Sequence, residues 1–206
     1  MERPSQAKLL HVDKSLSSDD LNSMVFLCRE IVGKAQLGKL TRGIHLIEDL
    51  QKKFPEKSVE KKTYTWFHLF KELLYHAGRK DLLRSLGTTK DVLAEQIKTN
   101  SLVDPFTLLL FEIGQQIIPK ELNDIKFIYF QSNWAQVENV DDPITVFMML
   151  ETSDIIGKSR LHALKEVVEA IKRRDILKKI DCYEKNFGEW IFNLDLWFYH
   201  ISMIIT

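Results

Sequence analysis

The chain has 206 residues, with 29 Lys plus Arg set against 29 Asp plus Glu, for a formal net charge of +0 at pH 7. That balance removes the whole-chain electrostatic argument for a nucleic-acid or acidic-membrane partner. With 45% hydrophobic and 28% charged residues the chain can bury a sizeable core. Its 8 Gly and 5 Pro are about half of the usual share of roughly 12%, which disfavours a turn-dense β-sandwich and favours helices.

Met1 to Lys8 carries Glu2, Arg3 and Lys8 with no apolar core, so no secretory signal is expected. Ser17 reads as an N-cap and Ser18 to Val32 as an amphipathic helix. Placed at 100° per residue, Leu21, Met24, Val25, Cys28, Ile31 and Val32 share one face of it, and Phe26 falls nearly opposite. Either neighbouring helices cover both faces, or Phe26 is a surface anchor for a partner; the second reading is the expected one. Lys52 to Thr63, rich in Lys and Glu and broken by Pro55, reads as a solvated loop. Trp66 to His76 is a further helix, stopped at Gly78. A junction is expected near Lys98 to Asp104. Past Pro119, Leu122, Ile125 and Tyr129 make an apolar stripe that Phe127 escapes. Leu161, Leu164, Val167, Val168 and Ile171 mark another amphipathic helix.

The chain also repeats itself. Ser17 to Leu27 lies over Ile118 to Ile128, with Leu, Asn and Phe matching and acid for acid. Gly78 to Leu83 resembles Lys172 to Leu177, the landmarks standing closer together in the second copy. Two helical bundles follow. In each, an acid, Asp20 or Glu121, occupies the third position of a helix, where it is worth roughly 0.3–1 kcal/mol against the helix dipole. In each, an Arg-x-Asp follows, Arg79 with Asp81 and Arg173 with Asp175. Residues two apart on a helix do not face one another, which leaves each arginine free to fork onto a distant acid.

Leu16-Ser17-Ser18-Asp19-Asp20-Leu21 leading into Phe26-Leu27-Cys28, then Leu73-Leu74-Tyr75 and Arg79-Lys80-Asp81-Leu82-Leu83, resembles a death effector domain. The second copy resembles it again, with Ile128 and Ile176 in place of the family's leucines. The resemblance covers roughly residues 4–184. It implies an all-α chain of two tandem six-helix bundles, residues 4–87 and 103–184, followed by a divergent apolar tail, 185–206. It further implies a hydrophobic patch, Phe26 with Leu27 and Phe127 with Ile128. Two charge triads follow from it as well: Asp20, Arg79 and Asp81, then Glu121, Arg173 and Asp175. Tandem death effector domains resemble initiator caspase prodomains of the eight and ten type and the FLICE-inhibitory proteins. That kinship implies a non-catalytic, cytoplasmic regulator of apoptosis. Its partners would be the death-receptor adaptor FADD and initiator caspases, with self-assembly into filaments a further expectation. A truncated or spliced caspase prodomain is the alternative.

Other chemistry finds little support. A caspase nucleophile needs Q-A-C-x-G, and neither Cys28 nor Cys182 fits; both read as packing or bystander thiols, and two cysteines build neither a disulfide framework nor a zinc site. Gly157-Lys158-Ser159 ends like a phosphate-binding loop, the basis of a more distant nucleotide-enzyme alternative, but Thr152 stands where that motif requires glycine. The six histidines include no H-E-x-x-H pair, and His68 and His76 read as helix-surface or satisfied core groups. Lys172, Arg173, Arg174, Lys178 and Lys179 read as a solvated helix end. No catalytic residue, metal or cofactor is expected. From Phe187 to Thr206 apolar residues dominate, yet the uncharged run Leu196 to Thr206 falls short of the roughly 20 residues that span a bilayer. A truncated or alternatively spliced terminus is the expectation there.

Overall fold

A computed structural model describes residues 4–33, 40–54 and 65–186. The chain divides into two compact units, Met1–Leu108 and Leu109–Thr206, and among the described residues every regular element is a helix. The apolar tail from Phe187 and most of the Lys52 to Thr63 segment lie outside the described residues. Lys52 and Lys53 belong not to a loop but to the end of a helix.

In the first unit α1 (Gln6–Ser15) is capped by Ser5, whose hydroxyl accepts the Lys8 amide. The single helix expected over Ser18 to Val32 is broken into α2 (Ser18–Leu27) and α3 (Arg29–Val32). Cys28 departs from helical dihedrals between them, at φ −102°, ψ 11°. Then come α4 (Gly43–Lys53), α5 (Thr65–His76), α6 (Lys80–Ser85) and α7 (Lys90–Asn100). α1 packs on α4, and α5 packs against α2, α4, α6 and α7. This makes α5 the central helix, with Trp66, Phe67, Leu69, Phe70, Leu73 and Leu74 all buried. Gly78, at φ 78°, ends it in the left-handed turn that glycine adopts without strain. Asp13 of α1 caps the start of α4, accepting the Ile44 amide at 2.9 Å and pairing with Arg42. Gly43 permits that approach, since a Cβ there would stand 2.7 Å from the Leu16 side chain.

The buried polar groups of α5 grip the end of α7. His68 Nε2 lies 3.2 Å from the carbonyl of Asn100. One turn on, the fully buried Glu72 carboxylate accepts the Ser101 hydroxyl at 2.5 Å and the Leu102 amide at 2.9 Å. Burial alone would raise the Glu72 carboxyl, but the His76 ring 3.8 Å away and the hydrogen bonds from Ser101 and Leu102 hold it below its ordinary value. Ser101→Ala removes one of these donors and leaves the others in place. It is expected to lower the stability of the first unit by about 1 kcal/mol, read by chemical denaturation. An unchanged midpoint would show that the Ser101 hydroxyl adds nothing to the grip.

The second unit continues through α8 (Pro105–Gly114), inside which the partition falls, and α9 (Pro119–Phe130). A 3-10 turn (Gln131–Asn133) leads to α10 (Trp134–Val137), then α11 (Pro143–Thr152), α12 (His162–Ala170) and α13 over residues 174–186. Its core holds Leu122, Ile125, Val146, Phe147, Leu150, Leu164, Val167, Val168, Ile176 and Ile180. Lys165 ties α12 to α13 through Asp181 at 2.6 Å and Glu184 at 2.5 Å.

Candidate protein-interaction site

Each unit carries a charge triad of the same build: an acid in the first turn of one helix, and an arginine just before a later helix whose first turn holds an aspartate. In the first, the Ser17 cap and Asp20 form a reciprocal capping box at the start of α2: the Asp20 amide donates to Ser17 Oγ at 3.1 Å and the Ser17 amide to Asp20 Oδ2 at 2.9 Å. Arg79 Nη1 reaches the same Oδ2 at 2.7 Å, and its Nε and Nη2 fork onto Asp81 at 3.1 and 2.8 Å. In the second, Ile118 supplies no side-chain cap, so only half the box forms, with the Ile118 amide donating to Glu121 Oε2 at 3.0 Å. Arg173 Nη1 bonds Glu121 at 2.9 Å, and Nε and Nη2 bond Asp175 at 2.9 and 2.7 Å.

The expectation that Arg and Asp two apart cannot face one another is corrected here. Arg79 precedes α6, at φ −81°, ψ 59°. Outside the helix it turns back over the aspartate in its first turn. Sequence reasoning also missed a fourth partner, because backbone carbonyls carry no residue signature. Arg79 Nη1 donates to the Ser15 carbonyl at 2.6 Å and Arg173 Nη1 to the Gln116 carbonyl at 2.9 Å. Each arginine thus ties a carbonyl at or just past the end of one helix to the acid in the first turn of the next. Hydrogen bonding from Arg79 lowers the Asp81 carboxyl, and that from Arg173 lowers Asp175 to about 2. Burial pushes Asp20 upward, but the bonds from Ser17 and Arg79 outweigh it and leave it lowered.

The aromatic pairs do not match one another. In the second unit Phe127, which the helical wheel sets off the stripe, is 60% exposed and Ile128 42%. In the first, Phe26 is 5% and Leu27 1% exposed, so the expectation of a surface anchor at Phe26 and Leu27 is overturned. Met24, Phe26, Leu27 and Cys28 are all buried, so α2 is enclosed on more than its main stripe. The guanidinium of Arg29, itself buried, lies 4.4 Å from the Phe26 ring centroid.

The remaining candidates fall into place as packing or surface. Cys28 is fully buried, and burial pushes its thiol up to about 12, while Cys182 is exposed. Gly157-Lys158-Ser159 is no phosphate cradle. The Gly157 amide donates to the Arg160 carbonyl at 3.1 Å in a closed turn, and α12 starts only at His162. Among the described residues no group of His, Cys, Asp and Glu side chains converges to hold a metal, and no helix is long and apolar enough to cross a membrane.

Two helical units, each stapled by an Arg-centred triad and one bearing a solvent-facing Phe-Ile pair, define the class of small all-α modules. The Death effector domain family model matches residues 5–91 and 106–186, and the chain belongs to that family. It is 25% identical over 193 residues to Caspase-8 of Mus musculus, covering 89% of this chain and 38% of that protein. It is 25% identical over 189 residues to the CASP8 and FADD-like apoptosis regulator of Mus musculus, covering 90% of this chain and 37% of that one. The chain therefore spans well under half the length of these relatives. The crystal structure of the viral FLIP MC159 superposes with a TM-score of 0.70 at 20% identity, covering 91% of this chain and 99% of that one.

Proposed function

We propose that this chain is a non-catalytic adaptor-like regulator that joins FADD and initiator caspase prodomains in the cytoplasm through homotypic contacts and thereby governs caspase activation, as a FLICE-inhibitory protein does. The observation that carries this reading is the exposed Phe127 and Ile128 on α9 of a chain that matches the death effector domain family twice. A bulky apolar pair in water is what a partner's groove would cover. Asp20, Arg79 and Asp81, with Glu121, Arg173 and Asp175, present both signs in each unit, which suits register and association rate in contacts between like modules. The modules taken as functional are residues 4–87 and 103–184, and addition of further copies in filaments follows from the same surfaces.

The test is co-assembly with FADD and a caspase-8 prodomain, followed by caspase processing as the full chain is titrated in. Wild type is expected to bind both and to change processing with dose. Phe127→Ala/Ile128→Ala, with its helical circular dichroism unchanged, is expected to bind at least about tenfold more weakly and to leave processing unaltered. Equal binding by the two would remove the pair from the interface, and no binding by wild type would overturn the proposed function.

A further inference from the structure

The residue before Phe127 is a lysine, and it points inward. Lys126 is 1% exposed, a rare state for a cation unless its donors are used. Nζ donates to the carbonyls of Glu138 at 3.3 Å and Val140 at 3.2 Å, and it stands 5.7 Å from the centroid of the Trp134 ring. All three partners belong to one stretch, the four-residue α10 and the turn behind it. A helix that short does not persist by its own hydrogen bonds. Its buried side-chain anchor is Val137, so the ammonium supplies a second fixing point. It takes up carbonyls at the end of α10, where a cation also suits the helix dipole.

The consequence reaches the surface. Trp134 is 36% exposed, and Phe127 and Ile128 follow Lys126 directly on α9. Consecutive helical residues are about 100° apart, so holding Lys126 inward turns Phe127 outward. The first unit supplies the contrast: Val25 stands in the aligned place before Phe26, without a cation to anchor, and Phe26 is buried. We infer that Lys126 is a positioning residue for the docking surface, clamping the 134–140 segment so that Trp134 stands as a third contact residue beside Phe127 and Ile128. The inference rests on the proposed function for its partner but not for its clamp, and the two are measured separately.

Lys126→Met keeps the apolar stem and removes the donors. Native-state hydrogen exchange on the full chain is expected to show amides 134–140 exchanging about tenfold faster or more, with the rest of α9 unchanged. Binding to the death effector domain of FADD is expected to weaken by about tenfold in Lys126→Met and in Trp134→Ala alike. In the Trp134→Ala background Lys126→Met is expected to add little, since both losses act through one contact. Unchanged exchange at 134–140 would overturn the clamp. Faster exchange with unchanged FADD binding, or fully additive losses, would leave Lys126 structural and overturn its positioning role. If wild type fails to bind FADD while exchange accelerates as described, the clamp stands, the proposed function falls, and Lys126 has no docking surface to position.

Discussion

Phe26→Ala is expected to destabilise the first unit by about 3–5 kcal/mol, the cost of truncating a buried phenylalanine and leaving a cavity, while Phe127→Ala changes stability by about 0.5 kcal/mol or less. The two residues occupy the same place in the repeat, so the contrast isolates environment from identity. Phe26 is 5% exposed, with the guanidinium of Arg29 4.4 Å from its ring centroid. Its removal leaves a cavity and bares part of a cation held at 2% exposure. Phe127, 60% exposed, has little to lose on folding. Urea denaturation of the full chain, with hydrogen exchange at the α2 and α5 amides to assign the loss to the first unit, measures both. Binding to FADD is expected to rank them in the opposite order when compared in samples that are fully folded: Phe127→Ala weakens it, and Phe26→Ala does not. Equal stability losses for the two would mean that the second unit buries its Phe as the first does.

Helical class, the repeat and the triads were legible because each rests on local chemistry. An Arg-x-Asp that recurs after a recurring N-terminal acid is visible as residue types in order, and the apolar stripe of α12 shows Leu164, Val167 and Val168 as they pack. What was not legible depends on neighbours distant in sequence. A helical wheel ranks the faces of a helix but does not count how many other helices surround it, which is why Phe26 looked exposed. The break at Cys28 leaves no glycine or proline to announce it, and the carbonyls of Ser15 and Gln116 belong to the backbone. Lys126 did leave a signal. It sits four residues after Leu122 and next to Ile125 on the buried stripe, where a lysine has to find acceptors inside.

Arg79→Met and Arg173→Met are each expected to cost about 2 kcal/mol at neutral pH, from half-buried charge-assisted bonds lost together. Arg79 and Asp20 side chains are 21% and 16% exposed, and Arg173 and Glu121 23% and 14%, so solvent screens these bonds only partly. Each substitution also orphans a backbone carbonyl, that of Ser15 at the end of α1 or of Gln116 in the turn after α8, for which the shorter methionine offers no donor. Asp81→Asn and Asp175→Asn are expected to matter much less, because those aspartates are 62% and 56% exposed and water replaces their partner. The triads carry a pH signature too. Asp20, Asp81 and Asp175 are all held below the ordinary carboxyl value in the folded chain, Asp175 at about 2. A depressed folded value means that the unfolded chain binds more protons through the interval between the two, so stability falls as the pH drops through it. The contribution is complete above the unfolded value of about 4 and drains away toward about 2, the folded value of Asp175. With the arginine gone, those carboxyls relax toward ordinary values and the dependence flattens. The gap between the denaturation midpoints of wild type and Arg173→Met should therefore narrow between pH 7 and pH 2.5 by the part that Asp175 contributes. A gap of constant size across that range would show that Arg173 acts through its stem and its bond to the Gln116 carbonyl and not by holding Asp175 ionised.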